Sequence, residues 1–154
     1  GILVDMGSHV FDILDFLIGP IVNISGKVAN YSGYYLAEDT AVASFAFENG
    51  VIGSGSFNFS TDTWVDRIEV AGEKGRIVFS CFDDEPLEIH TEQGIELLEF
   101  VPPDPIYYPF VKDMLKCIES GDKKGYVATA IRPTELIDQL LEPFTVFGLI
   151  YRIR

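Results

Sequence analysis

Asp5-Met6-Gly7-Ser8-His9 puts a carboxylate and an imidazole four residues apart, at the head of an apolar helical run. On a helix, residues i and i+4 share one face with Cβ atoms about 5–6 Å apart, so Asp5 and His9 can act on one small molecule together. Oxidising an alcohol requires a group that takes the O–H proton as hydride leaves carbon. Histidine is the side chain nearest that task without tuning, and a carboxylate one turn away favours the imidazolium that results. Asp12, three residues beyond His9 on a similar face, is either an orienting partner for the second imidazole nitrogen or a solvated carboxylate. Read without chemistry, Asp5 and His9 are a hydrogen-bonded pair holding a helix start, where the macrodipole favours an acidic residue. Spacing alone leaves both readings open.

The elements that would position these residues follow from periodicity. Val10, Phe11, Ile13, Leu14 and Leu17 recur at helical spacing until Gly19-Pro20, which predicts a helix over roughly 7–18. Strands are predicted over 21–31, 39–47, 51–60, 67–71, 76–81, 87–91 and 95–101. After a proline-rich linker from Pro102 to Pro109 come helices over 110–118 and from Pro133 to Pro143, with Pro133 at a favoured first helical position. A helix, many sequential strands and then helices describe an α+β two-layer sandwich, a largely antiparallel sheet with helices on one face. Asn49-Gly50 predicts a two-residue type I′ hairpin in which Phe47 faces Ile52 and Phe45 faces Ser54. One sheet face then holds Ala41, Ala43, Phe45, Phe47 and Ile52, and the other Val42, Ala46, Val51, Phe57 and Phe59. A half-solvated antiparallel sheet alternates apolar with polar. Two apolar faces therefore imply helices over one and a second copy of the chain over the other, a homo-oligomer through the sheet face.

Composition narrows the function. The 154 residues make one domain with a sizeable core. A net charge of −13 and a pI of about 4.3 exclude a nucleic-acid partner, since a phosphate backbone would be repelled. An apolar content of 47% and a mean hydropathy of +0.20 are high for so acidic a chain and fit a covered sheet face. No uncharged run reaches the roughly 18 apolar residues of a membrane span. Cys81 and Cys117 lack C-x-x-C spacing and read as free thiols of a reducing, cytoplasmic compartment, with a single disulfide as the alternative. His90 reads as a surface histidine, so no metal set forms with Asp5 and His9. Tyr107-Tyr108 reads as packing in preference to a sugar-binding wall, and Asp83-Asp84-Glu85 as a solvated turn.

Three segments carry a family resemblance. Gly1 to Asp12 is similar to the G-x-L-x-D-x-G-x-H-x-x-D signature that opens the C-terminal domain of the glucose–fructose oxidoreductase/inositol dehydrogenase (Gfo/Idh/MocA) family. Glu38-Asp39-Thr40-Ala41 with Phe47-Glu48-Asn49-Gly50 resembles its E-D-T-A strand and F-x-N-G turn, and Ile68 to Gly75 its strand and G-x-x-G turn. The likeness covers residues 1–75 in the family's order; from Cys81 onward only the architecture matches, and Phe144 to Arg154 has no counterpart. The resemblance implies a fold like the C-terminal domain of glyceraldehyde-3-phosphate dehydrogenase. It also implies a parent enzyme whose N-terminal Rossmann domain, absent from this chain, holds NAD or NADP and an E-K-P lysine. His9 would be the general acid/base, with Asp5 tuning it. Neither E-K-P nor G-x-G-x-x-G occurs here; Gly53-Ser54-Gly55-Ser56 lies mid-hairpin and opens no helix. The expectation is a substrate-binding and oligomerisation domain, inactive alone, of an NAD(P)-dependent oxidoreductase acting on a sugar, cyclitol or polyol hydroxyl. The alternative is a non-catalytic assembly or ligand-binding domain in which Asp5 and His9 are structural.

Overall fold

Leu3, Gly7, Phe11 and Leu14 recur at three- and four-residue spacing, and all four are buried. They form the inner stripe of a continuous helical segment, which burial of an apolar face stabilises far more than propensity does. The computed structural model describes residues 1–121 and 127–152. The segment opens as a π-helical turn, Leu3–Gly7, and continues as α1, Ser8–Ile18. Then follow β1 (Ile21–Ala29), β2 (Thr40–Phe47), β3 (Ile52–Asn58), β4 (Ile68–Gly72), β5 (Gly75–Phe79), β6 (Leu87–Thr91) and β7 (Gly94–Leu98). Helices α2 (Tyr108–Ser120) and α3 (Val127–Arg152) complete the chain. The strands form two antiparallel sheets, ordered β1-β2-β3 and β4-β5-β6-β7. The class is α+β, as the element order predicts.

The chain divides into two compact units. In the first, α1 and α3 cover one face of β1-β2-β3. Phe11 is fully buried, its ring edge-on to Phe45 at 6.1 Å between centroids and tilted against Phe57 at 5.8 Å; Phe45 meets Phe47 at 5.7 Å. Helix α3 adds Leu136, Ile137 and Leu140, all buried. In the second unit, β4 to β7 form a meander whose surface ladder runs from Arg67 to Glu69 (3.1 Å) and from Glu69 to Arg76 (3.3 Å).

The hairpin register differs from the predicted one by a single residue. Ala46 faces Ile52 and Phe45 faces Gly53. The loop has three residues, closed by Phe47 N donating to Val51 O (2.8 Å) and Gly50 N donating to Phe47 O (2.9 Å), with Gly50 at φ +88°. Only Gly50 takes the left-handed conformation, so the connection is a type I turn with a bulge. Asn49 has other work: its Nδ2 donates to Ile18 O at 2.8 Å, capping the end of α1. A one-residue slip exchanges faces. Ala41, Ala43, Phe45 and Phe47 thus share the helix-covered side with Phe57, while the open side carries Ser25, Val42, Ser44, Ser54, Ser56 and Ile52. The expectation of two apolar faces is corrected, and Phe45 and Phe47 are not available to a second copy.

The last helix is also longer than predicted. Pro133 lies inside α3, not at its start, and Pro143 does not end it. An interior proline costs about 3 kcal/mol, but here strong anchors sit around it. Arg132 donates from Nε to Asp15 Oδ2 (2.5 Å) and from Nη2 to Ile21 O (3.1 Å), and Pro133 itself is buried. Of the stretch from Phe144 to Arg154, Ile153 and Arg154 lie outside the described residues.

Because Phe11 joins α1 to two strands, Phe11→Ala is expected to destabilise the first unit by about 3–5 kcal/mol. Denaturant unfolding, read as the shift in midpoint at constant slope, checks this.

Candidate functional site

Asp5, His9 and Asp12 lie on the exposed side of the first helical segment, opposite the Leu3-Gly7-Phe11-Leu14 stripe. The stripe fixes this orientation, since turning the helix to hide His9 would expose Phe11. Gly7 is part of the fit: a Cβ there would stand 3.3 Å from Leu3 Cδ2. His9 and Asp12 are three apart within α1, while Asp5 belongs to the preceding π turn. A π turn closes i→i+5 and is rare, occurring mostly as single turns, frequently at functional sites. It also leaves carbonyls to satisfy, and Ser8 Oγ stands 2.8 Å from Val4 O and 3.1 Å from Asp5 O. Helical periodicity predicts a regular helix from residue 7, and nothing in the spacing signals the wider turn at Leu3–Gly7.

The start of the segment is held from a distance. Ile2 N donates to Glu38 O (3.2 Å) and Leu3 N to Glu38 Oε1 (3.1 Å), so a buried glutamate does the work of a helix cap. Its neighbour Asp39, also buried, accepts from Tyr31 N (3.0 Å), Ser32 N (2.7 Å) and Thr40 Oγ1 (3.0 Å). Burial works against the Asp39 charge, but the hydrogen bonds from Ser32, Tyr31 and Thr40 outweigh it and hold the carboxyl far below the usual range. In sequence these two acids stand out only as part of the E-D-T-A segment, which signals no anchoring role. Nothing in the local sequence signals the Asp15–Arg132 pair, whose members lie 117 positions apart. The hydrogen bond to Asp15 raises the Arg132 pKa.

A dinucleotide would need a glycine-rich turn ahead of a helix, and Gly53-Ser54-Gly55-Ser56 does not fit. These residues lie within β3, where a Cβ on Gly53 would stand 2.3 Å from Phe45 Cε2 and one on Gly55 3.3 Å from Phe57 Cε2. Their glycines make room for phenylalanine rings, not phosphate. Among the described residues, no group of three or more His, Cys, Asp or Glu could hold a metal ion, and no helix is long and apolar enough to cross a membrane. His90 belongs to β6 of the other unit; its Nε2 lies 2.5 Å from Glu88 Oε2 and its Nδ1 3.4 Å from Arg76 Nη2. Cys81 and Cys117 are both free thiols. Burial, with Asp66 nearby, pushes the Cys81 thiol up, which keeps it unreactive. Tyr107 and Tyr108 are exposed, against the expectation that they pack.

Residues 1–78 match the model of the GFO/IDH/MocA C-terminal domain. D-apiose dehydrogenase from Paraburkholderia graminis is 26% identical over 107 residues, covering 66% of this chain and 28% of that protein. Two solved structures share the fold. An oxidoreductase from Agrobacterium radiobacter, in complex with NAD+, L-tartaric acid and magnesium, is 17% identical with a TM-score of 0.77, over 90% of this chain and 45% of that one. Levoglucosan dehydrogenase in complex with NADH is 17% identical with a TM-score of 0.78, over 92% and 47%. The chain thus spans about half the length of these solved structures and about a quarter of the curated relative.

Asp39 generates a pH-dependent expectation. Its folded pKa is depressed, so its contribution is present above the unfolded value of about 3.9 and is lost as pH falls below it. Asp39→Asn should lower the melting temperature at pH 7, because an amide nitrogen there would oppose a backbone N–H. The gap from wild type should narrow from about pH 4 downward. Thermal melts of both proteins across that range test the sign.

Proposed function

The chain belongs to the GFO/IDH/MocA family, and on that premise we propose that it is the substrate-binding C-terminal domain of an NAD(P)-dependent dehydrogenase acting on a sugar or polyol hydroxyl. His9 is the general acid/base. As hydride passes from the substrate carbon to the nicotinamide, His9 takes the hydroxyl proton; Asp5 stabilises the imidazolium and Asp12 orients the ring. The nucleotide and the catalytic lysine belong to a Rossmann domain outside this sequence, so the chain alone neither binds cofactor nor turns over. D-apiose dehydrogenase and levoglucosan dehydrogenase act, by name, on sugars, which supports the substrate class.

One observation carries the catalytic reading over the structural one. If Asp5 and His9 existed to hold the helix start, that start would lack another anchor. It has two: Glu38 on the amides of Ile2 and Leu3, and Ser8 on the carbonyls of the π turn. Asp5 and His9 are exposed in addition, and an exposed pair contributes little to stability. The same reading assigns self-association to the open face of β1-β2-β3, where Val42 and Ile52 stand exposed among serines, and not to the phenylalanine face.

In the full-length enzyme, His9→Ala should lower kcat by roughly 10²–10⁴-fold and leave the melting temperature within a few degrees, since surface changes cost about 0.5 kcal/mol or less. Asp5→Asn should lower kcat less. Measuring kcat and melting temperature on one preparation decides: near-normal turnover with lost stability would return the pair to a structural role.

A further inference from the structure

The connection between β1 and β2 exposes large side chains that a loop ordinarily does not. Tyr31 is 77% exposed, Tyr34 91%, Tyr35 43% and Leu36 72%. Loops are ordinarily more mobile than the elements they connect; this one is tied down. Asn30 Nδ2 donates to Tyr35 O (2.5 Å) and Ala37 O (2.6 Å), and Asn30 Oδ1 accepts from Gly33 N (2.8 Å). Asp39 holds the amides of Tyr31 and Ser32 from the other side. The backbone is therefore fixed before any ligand arrives, which reduces the ordering cost of binding. Tyrosine adds large contact area with only two side-chain torsions.

The loop leads directly into Glu38, whose carbonyl and carboxylate receive the amides of Ile2 and Leu3. It therefore ends against the first turn of the segment that carries Asp5 and His9. Residues 30–37 contain no charged side chain. In residues 1–62 Lys27 is the single lysine or arginine, and it pairs with Val42 on the open sheet face, away from the helices. Arg132 is held by Asp15. Asp5 and Asp12 flank His9, so on this domain's side of the site an anionic group approaching the imidazole meets carboxylates first.

We infer that the tyrosine loop 31–36 is a sugar-contacting element of this site, and that the sugar it takes is uncharged. Tyrosine rings present apolar faces to C–H surfaces and hydroxyls to hydroxyls, while the flanking carboxylates reject phosphorylated and carboxylated sugars. The inference rests on His9 acting on the substrate.

The test uses the full-length enzyme and measures cofactor reduction with neutral sugars and polyols beside hexose 6-phosphates and uronates. Neutral substrates should exceed their charged counterparts in kcat/KM by at least about tenfold, and Asp12→Asn should narrow that ratio. Tyr34→Ala and Tyr31→Ala should raise KM for the neutral substrate roughly three- to tenfold with kcat and melting temperature nearly unchanged, while Tyr34→Phe, which keeps the ring and loses only the hydroxyl, should raise it less. A preference for charged sugars, or an unchanged KM in both alanine variants, overturns the inference and leaves the dehydrogenase reading standing. No turnover of any sugar, neutral or charged, removes the dehydrogenase reading and this inference with it.

Discussion

Two successive buried acids, Glu38 and Asp39, are the constraint around which the first unit is arranged. Burying acidic side chains is expensive unless their oxygens find donors. Here the donors are main-chain amides from two other segments: Leu3 at the helix start, and Tyr31 and Ser32 in the tyrosine loop. One dipeptide therefore ties the beginning of the chain, the loop and the entry to β2 together. Removing either acid would leave amides of the other segments unsatisfied, so the cost falls on positions remote in sequence. That is how two acids remote in sequence can control where Asp5 and His9 stand.

A second layer of anchoring comes from Asp15, Arg132 and Asn49. Asp15 accepts from Ile21 N and from Arg132, joining α1, β1 and α3, while Asn49 reaches from the hairpin turn to the last carbonyl of α1. The helix bearing the candidate acid/base is thus fixed at its start by Glu38, along its length by Phe11 and at its end by two polar contacts. Preorganisation of this kind is what proton transfer at a defined substrate oxygen requires.

Much of this was legible in the residues, for identifiable reasons. Helix α1 and the strands announce themselves by period, and the acid and imidazole by their spacing on one helix face. The hairpin register was not legible, because Asn49-Gly50 suits a two-residue turn as well as the bulged three-residue turn that forms; the choice depends on Asn49 reaching Ile18, a contact between remote segments. Pro133 misled for a similar reason. A proline favours a helix start locally, and only the remote partner Asp15 and the buried side chains of Leu136, Ile137 and Leu140 explain why the helix continues through it. The anchoring roles of Glu38, Asp39 and Arg132 share this origin: each is defined by a donor or acceptor far along the chain. Local pattern identified the candidate chemistry, and long-range hydrogen bonding determined its setting.

If the chain serves a dehydrogenase as proposed, His9 acts directly on the substrate hydroxyl. A crystal structure of the full-length enzyme with nicotinamide cofactor and a sugar that it oxidises tests this most directly. An imidazole nitrogen of His9 is expected about 2.6–3.2 Å from the hydroxyl on the carbon facing the nicotinamide. A complex in which that hydroxyl is held by another group, with the helix of Asp5 and His9 away from the sugar, would contradict it.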